Sequence, residues 1–260
     1  MERDQALAVV DGTVLPLAEA RIPVTDPALT VGWSVFETLL VERRSARALG
    51  EHLDRLAGSA HAAGMGAIPR EAIEREVALL VSQGPENARL RITLTGGGHR
   101  ILWVESLDLS RVHQPIRAVR GPHRDEPILG GSVKHGSRAP WVVALRRSGA
   151  DEVLLVDQED RFTEGTTSAI LAVMDGAVHL APEDGRILPS TMRHEILARA
   201  RQLGVDVVEQ GPPAYGPWDG LYIASSTRDL APVVSLDGQS LPGWEAVGRR
   251  LASFRRPLPE

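Results

Sequence analysis

Apolar residues fall into short runs separated by turn residues along the first fifty positions of the chain. Two such runs, Ala6–Val10 and Thr13–Leu17, flank Asp11-Gly12, a residue pair typical of the tight turn in a β-hairpin. Val35–Val41 is a further run of residues that favour strands. The pattern predicts that the chain begins with β-structure.

The hydrophobic spacing then changes from that of strands to that of helices. Glu51–Met65 and Pro69–Gln83 each place apolar residues three or four positions apart, and each is followed by glycine. Strand-like runs return at Ala88–Thr95 and Ile101–Val104, on either side of the glycine-rich turn 96–98. The first third is therefore predicted to contain strands, two helices and strands again.

The second half mixes helix and strand patterns without regular alternation. The predicted helices are Ala139–Ser148 and Thr191–Leu203, and the predicted strands are Glu152–Val156, Ser168–Val173, Val205–Glu209 and Leu221–Ala224. Such mixing favours two α+β domains. Because 106–121 lacks a clear period, we predict a smaller N-terminal domain over 1–115, a linker over 116–121 and a larger C-terminal domain over 122–260.

Composition excludes several classes of function. The net charge of −5 leaves no basic excess for general binding to nucleic acid, and no apolar run reaches the ~20 residues that span a bilayer. The start of the chain has no signal-type apolar segment, which predicts a cytoplasmic protein. Since the chain has no cysteine, thiolate catalysis, disulfides and cysteine zinc sites are excluded, and no metal site is predicted.

One residue count points to chemistry: the chain has 28 arginines and a single lysine, Lys134. Arginine replaces lysine wherever only positive charge is needed, but its guanidinium cannot act as an amine nucleophile. Lysine can lose its proton and form a Schiff base with a carbonyl. Lys134 is therefore a candidate nucleophile; the alternative is compositional drift that left one lysine by chance.

Four other features complete a possible site. They are Glu164 on a bend between two strands, Arg55 on an apolar helix, the helix start in Ile187–Arg193 and the hydroxyl run in Ala224–Thr227. Each also has an ordinary interpretation as a turn acid, surface ion pair, helix N-cap or turn former. Together, an amine, a carboxylate and several phosphate donors are what pyridoxal 5′-phosphate requires.

Six segments extend this interpretation to a family. They are Gly32–Leu39, His52–Leu56, Lys134–Arg138, Gly149–Glu152, Thr163–Ser168 and Leu188–Arg193. In their order and spacing they resemble the class IV aminotransferases, the fold-type IV pyridoxal-phosphate enzymes that include branched-chain and D-amino-acid aminotransferases and aminodeoxychorismate lyases. The resemblance implies two mixed α/β domains with the cofactor between them, and a homodimer that completes each active site.

The resemblance also implies roles for individual residues. Lys134 would form the Schiff base and move the proton, and Glu164 would pair with the pyridine nitrogen of the cofactor. Arg55 would bind the phosphate, together with the backbone of Thr191 and Met192. The hydroxyl of Ser226 would complete the phosphate site.

The sequence departs from the family pattern at three places. Ser137 stands where asparagine is usual, and Ser190–Met192 stands where Gly-Ile-Thr or Gly-Val-Thr is usual. Many members carry Thr-Arg-Gly where this chain has Thr95–Gly97. The arginine that holds the substrate carboxylate in D-amino-acid aminotransferases is therefore missing. We expect Arg100 to replace it; the alternative is that Arg100 is an exposed loop residue.

The resulting functional hypothesis is an aminotransferase that moves an amino group between an amino acid, or an amine, and a keto acid. Thr38 and Arg138 are further candidates for contact with the substrate. The first alternative is an aminodeoxychorismate lyase, which releases pyruvate and p-aminobenzoate; Lys134-His135, Thr38 and Met192-Arg193 are compatible with it. The second alternative is a non-catalytic paralogue that binds pyridoxal phosphate.

Overall fold

The strands and helices are grouped into two units, and the computed structural model describes residues 6–123 and 128–254. Unit 1 comprises Met1–Leu109 and Val133–Arg138, and unit 2 comprises Ser110–Ser132 and Ala139–Glu260. The short segment that carries Lys134 thus belongs to unit 1, although it follows the first strand of unit 2 in the chain.

Unit 1 is built on an antiparallel sheet. Its strands are β1 (Leu7–Val10), β2 (Thr13–Pro16), β3 (Ser34–Glu42), β4 (Ser45–Ala46), β5 (Ala88–Thr95) and β6 (Arg100–Ser106), in the order β2-β1-β6-β5-β3-β4. The β1–β2 hairpin turns at Asp11 and Gly12, whose φ angles of 49° and 90° are those that a tight primed turn requires. The predicted hairpin is confirmed.

Three helices accompany this sheet: α1 (Pro27–Thr30), α2 (Leu49–Ala62) and α3 (Arg70–Gln83). The apolar stripe of α2 buries Leu53 and Leu56, and that of α3 buries Ile73 and Leu80. β3 is buried along most of its length because α2 and β5 both pack against it.

Unit 2 contains nine strands in one sheet. They are β7 (Ile116–Pro122), β8 (Glu152–Val156), β9 (Phe162–Gly165), β10 (Ala169–Met174), β11 (Ala177–Leu180), β12 (Val207–Val208), β13 (Gly220–Ser225), β14 (Asp229–Leu236) and β15 (Gln239–Ser240). Because β9 pairs with both β8 and β10, the path β10-β13-β14-β7-β8-β9 closes on itself. The helices of unit 2 are α4 (Ala139–Ser148), α5 (Thr191–Gln202) and α6 (Ala246–Ala252).

The core of unit 2 shows how strand alternation distributes side chains. On β10, Ile170 and Ala172 join one apolar cluster, while Leu171 and Val173 join another, because successive strand residues point to opposite faces. The second cluster also contains residues of α5 and α6, so these helices cover that face of the sheet.

Most predicted elements are confirmed, but the predicted linker is not. Residues 116–121 lie within β7, where Ile116 and Ala118 are buried, and the division between the units follows Leu109. The pattern was hard to read because β7 is a short strand bounded by Pro115 and Pro122. Within the ranges described, no helix combines the length and apolar character needed to cross a membrane.

Candidate active site

The segment that carries Lys134 is fixed by backbone hydrogen bonds to β3. The Phe36 amide donates to the Lys134 carbonyl at 3.0 Å, and the Gly136 amide donates to the Ser34 carbonyl at 2.7 Å. From α2, the Ser59 hydroxyl accepts the Lys134 amide at 3.1 Å. The only lysine of the chain is therefore held against the most buried strand of unit 1.

Small residues allow this close approach. A Cβ at Gly136 would lie 2.0 Å from the Ser34 hydroxyl, and Gly32 has a φ of 71° that favours glycine. Ser137, which departs from the family pattern, donates its hydroxyl to the Gly32 carbonyl at 3.1 Å. The serine thus supplies a local hydrogen bond that ties the lysine segment to the loop before β3.

Four basic side chains influence one another electrostatically in unit 1, and we call them the basic cluster: Lys134, Arg55, Arg91 and Arg138. Burial is the main cause that lowers the pKa of Lys134, and the three arginines lower it further, to about 7. Its amine lies 5.0 Å from the centre of the Phe36 ring. Lys134 is therefore an amine that can exchange a proton near neutral pH.

A buried carboxylate, Glu37, lies on β3 beside the basic cluster. It accepts hydrogen bonds from Nε and Nη2 of Arg55 at 2.7 and 2.6 Å, and its Oε2 lies 2.7 Å from Nδ1 of His52. Burial alone would raise the pKa of Glu37, but the bonds and charge of Arg55, with His52 and Lys134, lower it to about 2. Glu37 is thus ionised at neutral pH.

Arg91 projects from β5 onto the aromatic ring of Phe36. Its guanidinium carbon lies 3.4 Å from the ring centre, and its nitrogens donate to the hydroxyls of Thr38 at 3.3 Å and Thr93 at 3.4 Å. Burial lowers the pKa of Arg91 to about 10. Among the residues that the structure describes, no carboxylate forms an ion pair with it. The predicted residue Thr38 is thus a neighbour of Arg91.

Arg100 is placed differently from our expectation. Its Nε and Nη2 donate to the carboxylate of Glu76 on α3 at 3.1 and 2.8 Å, and its amide donates to Asp11 at 2.8 Å. The charges that act on Arg100 are those of Glu76 and Asp11, and Arg100 is not among the arginines that influence Lys134. The expectation for Arg100 is corrected: it is a structural ion-pair residue of unit 1.

In unit 2, Glu164 lies on β9 beside the strands that lead to the hydroxyl run. Glu164 is in register with Ala169 of β10, which is in register with Ala224 of β13. Its Oε2 accepts the amide of Leu188 at 3.1 Å. Glu164 is therefore tied to the segment that leads into α5, rather than being a solvated turn acid.

At the start of α5, the backbone amides of Thr191 and Met192 are the groups of interest for a bound anion. The Ser190 hydroxyl caps the helix by accepting the Arg193 amide at 3.3 Å, and the Met192 side chain is buried in the apolar cluster beneath α5. The amides of Thr191 and Met192 stand at the positive end of the helix dipole, where anions bind. Ser226 directly follows β13.

Sequence reasoning missed the role of Glu152. This carboxylate is buried at the start of β8 and accepts hydrogen bonds from the hydroxyls of Thr166, Thr167 and Ser168. These hydroxyls follow Glu164 in the chain, and their bonds to Glu152 fix the turn after β9. The available signal in the sequence was a glutamate at the start of an apolar strand, followed later in the chain by the three hydroxyl residues 166–168.

It also missed Glu37 and Arg91, although both stand in segments that were recognised as strands. The signal for Glu37 was a carboxylate within the apolar run of β3, because a charge on a buried strand requires a partner. Arg91 gave a weaker signal, since an arginine on a half-buried strand more often reaches solvent. Of the predicted residues, Lys134, Arg55, Thr38 and Arg138 are brought together in unit 1, and Arg100 is not.

Comparison with known proteins identifies the family. Residues 34–236 match the family model described as amino-transferase class IV. Branched-chain-amino-acid aminotransferase-like protein 2 of Arabidopsis thaliana is 34% identical over all of this chain, which spans 51% of that protein. The bifunctional aminodeoxychorismate lyase / D-amino acid transaminase of Mycobacterium tuberculosis is 26% identical over 91% of this chain and 93% of its own.

Solved structures show the same fold. A fold IV-transaminase from Curtobacterium pusillum superposes with a TM-score of 0.85 and 26% identity, over 96% of this chain and 98% of that one. A hypothetical aminotransferase from Mycobacterium tuberculosis, bound to alpha-ketoglutarate and PMP, gives 0.86 at 24% identity, over 95% and 96%, and shares the fold. The α/β fold-type IV prediction is confirmed, and the chain belongs to the class IV aminotransferases.

Proposed function

We propose that this enzyme is a pyridoxal-phosphate-dependent aminotransferase in which Lys134 is the catalytic amine. It would move an amino group between an amino acid and a keto acid. The observation that carries the proposal is Lys134 itself: the one lysine of the chain is fixed against β3, and its pKa is lowered to about 7.

Each unit carries donor groups of the kinds that the cofactor needs. Pyridoxal phosphate, when bound, supplies an aldehyde that reacts with an amine and a ring that accepts electrons. In unit 1, Lys134 would supply the amine and Arg55 a cation for the phosphate. In unit 2, Glu164 would supply the anion for the ring nitrogen, while the amides of Thr191 and Met192 would serve the phosphate. The Ser226 hydroxyl would add a further phosphate donor.

Lys134 would serve as the proton carrier of the reaction. An acid or base works best when its pKa lies near the working pH, since both protonation states are then populated. The pKa of about 7 meets this condition, whereas an ordinary lysine would stay protonated. The neighbouring Phe36 ring provides an apolar surface beside the amine.

We assign the substrate carboxylate to Arg91 in place of Arg100. Arg91 presents a partly buried guanidinium that no described carboxylate pairs with, and Lys134 and Arg91 both contact the Phe36 ring. A guanidinium binds a carboxylate through two parallel hydrogen bonds, and partial burial strengthens them. Arg138 would add positive charge to the same region.

The single lysine makes the proposal simple to test. Borohydride reduction of the purified protein with pyridoxal phosphate should attach the cofactor to the peptide that contains Lys134. The α-amino group is the only rival amine in the sequence. A label found elsewhere, or no label, would refute Lys134 as the catalytic amine.

The reaction type requires a second measurement. We would mix the enzyme and cofactor with a panel of amino acids and follow the absorbance of the cofactor. Conversion to the aminated cofactor together with keto acid release supports the aminotransferase. Pyruvate release from aminodeoxychorismate without any keto acid acceptor would favour the lyase instead. The lyase is the second candidate because the relative from Mycobacterium tuberculosis is a bifunctional aminodeoxychorismate lyase / D-amino acid transaminase.

We also propose that the enzyme is a homodimer and acts in the cytoplasm. The segment before β3, which includes α1, exposes apolar side chains, with Val24 at 82%, Val31 at 72% and Leu29 at 60%. Large exposed apolar patches are typical of contact surfaces. Sedimentation should give the mass of two chains, and Val31→Glu should weaken the association.

A further inference from the structure

The basic cluster of unit 1 has an unbalanced charge, and Glu37 is placed to offset it. This carboxylate binds Arg55 directly and acts electrostatically on Lys134 and Arg91, in each case favouring the protonated form. The other charged groups that act on Lys134 are Arg55 from α2, Arg91 from β5 and Arg138 from its own segment. All three arginines oppose its protonation.

The Glu37 carboxylate also holds neighbouring side chains in position. Its side chain is fully buried, and both carboxylate oxygens are engaged, by Arg55 from α2 and by Nδ1 of His52 one turn earlier on the same helix. Its neighbour Phe36 donates its backbone amide to Lys134. The carboxylate is therefore bound to the helix that carries Arg55, and its strand is hydrogen-bonded to the segment that carries the amine.

From this placement we propose that Glu37 is a positioning residue of the active site. Through its charge and its hold on Arg55 it sets the pH at which Lys134 loses its proton. The proposal rests on the proposed function only in treating Lys134 as the reacting amine. Without Glu37, the three arginines would act on Lys134 unopposed, and the amine would lose its proton at lower pH.

The test is Glu37→Gln, which removes the charge and keeps the shape. We would react the full-length chain, free of cofactor, with a limiting amine-acylating reagent from pH 5 to pH 10. Peptide mass spectrometry would then give the modification rate at Lys134. We expect the midpoint of the pH curve to fall by about one pH unit, which makes modification at pH 6 roughly fivefold faster than in the wild type.

The sign of the change separates this role from a merely structural one. Local unfolding would expose Lys134 to water and move its midpoint up, towards the ordinary lysine value of about 10.4. The matched control is Glu76→Gln, which removes the buried carboxylate that pairs with Arg100. It should leave the midpoint of Lys134 unchanged. A midpoint that is unchanged or raised in folded Glu37→Gln would overturn the proposal.

If Glu37→Gln does not fold, a second pair of variants measures the same contribution. Arg55→Gln is compared with the double variant Arg55→Gln, Glu37→Gln, in which neither an arginine nor a carboxylate is left buried and unpaired. The double variant should titrate about one pH unit below Arg55→Gln, and equal midpoints would refute the proposal. Borohydride labelling away from Lys134 would instead refute the proposed function and leave this titration result standing.

Discussion

In the described part of unit 1, two buried carboxylates each hold an arginine by its Nε and Nη2 atoms, and only one of these pairs is part of the candidate site. Glu37 binds Arg55, and Glu76 binds Arg100, with contact distances between 2.6 and 3.2 Å in both pairs. The carboxylates are 0% and 4% exposed. As isolated ion pairs, they are chemically equivalent.

The surroundings give the two pairs different roles. The next charge that acts on Arg100 is the negative charge of Asp11, so this pair does not lie among other positive charges. The pair of Glu37 instead adjoins the positive charges of Lys134, Arg91 and Arg138. The same interaction therefore supports the fold at one place and adjusts the protonation of an amine at the other. Four predictions test this distinction.

The largest expected effect is the loss of activity in Lys134→Arg. The variant keeps the positive charge but removes the amine that can lose a proton and react with an aldehyde. Amino transfer should fall by a factor on the order of 10³ or more, measured as keto acid release in single turnovers. The urea midpoint should stay close to that of the wild type. A variant that keeps a tenth of the normal rate would contradict a catalytic role for this residue.

The second prediction concerns stability in acid. Because the pKa of Glu37 is lowered from 4.5 to about 2 in the folded protein, its charge stabilises the fold above pH 4.5, and this contribution disappears as the pH falls towards 2. The difference corresponds to roughly 3 kcal/mol. The stability difference between wild type and Glu37→Gln in urea should therefore shrink from pH 5 to pH 3. A difference that stays constant over this range would show that the carboxylate is not preferentially ionised in the folded state.

The third prediction compares the two arginines directly. Arg55→Ala should weaken the binding of pyridoxal phosphate about ten- to hundredfold, because a charge-assisted hydrogen bond to the phosphate is worth roughly 1.5–3 kcal/mol. Arg100→Ala, the matched control, should leave the dissociation constant unchanged. Fluorescence titration with the cofactor measures both. Equal losses in the two variants would show that they act through stability alone.

The smallest expected effect tests which arginine meets the substrate. Arg91→Gln should raise the KM for keto acids about tenfold and leave reaction with uncharged amines or aldehydes, where these are substrates, nearly unaffected. Arg100→Gln should change neither. If Arg100→Gln raised the KM for keto acids while Arg91→Gln did not, the assignment of the carboxylate to Arg91 would be wrong.

The outcome for individual residues shows where sequence reasoning works. Lys134 could be singled out because one lysine among 28 arginines is a chemical exception that no packing argument is needed to see. The helices α2, α3 and α5 were predicted because apolar residues at helical spacing define one buried face. The strand β14 was not predicted, because it contains Pro232.

The α/β class and the family could be inferred from the sequence alone, which also singled out Lys134 as the candidate amine, because these inferences depend on local periodicity, segment order and residue chemistry. The tertiary structure alone decided which charges meet. It joined the Lys134 segment to unit 1, paired Arg100 with Glu76, left Arg91 without a described carboxylate partner, and buried Glu37 beside Arg55. The physical reason is that an ion pair depends on distances of a few ångströms between residues that are far apart in the chain, and no local pattern encodes those distances.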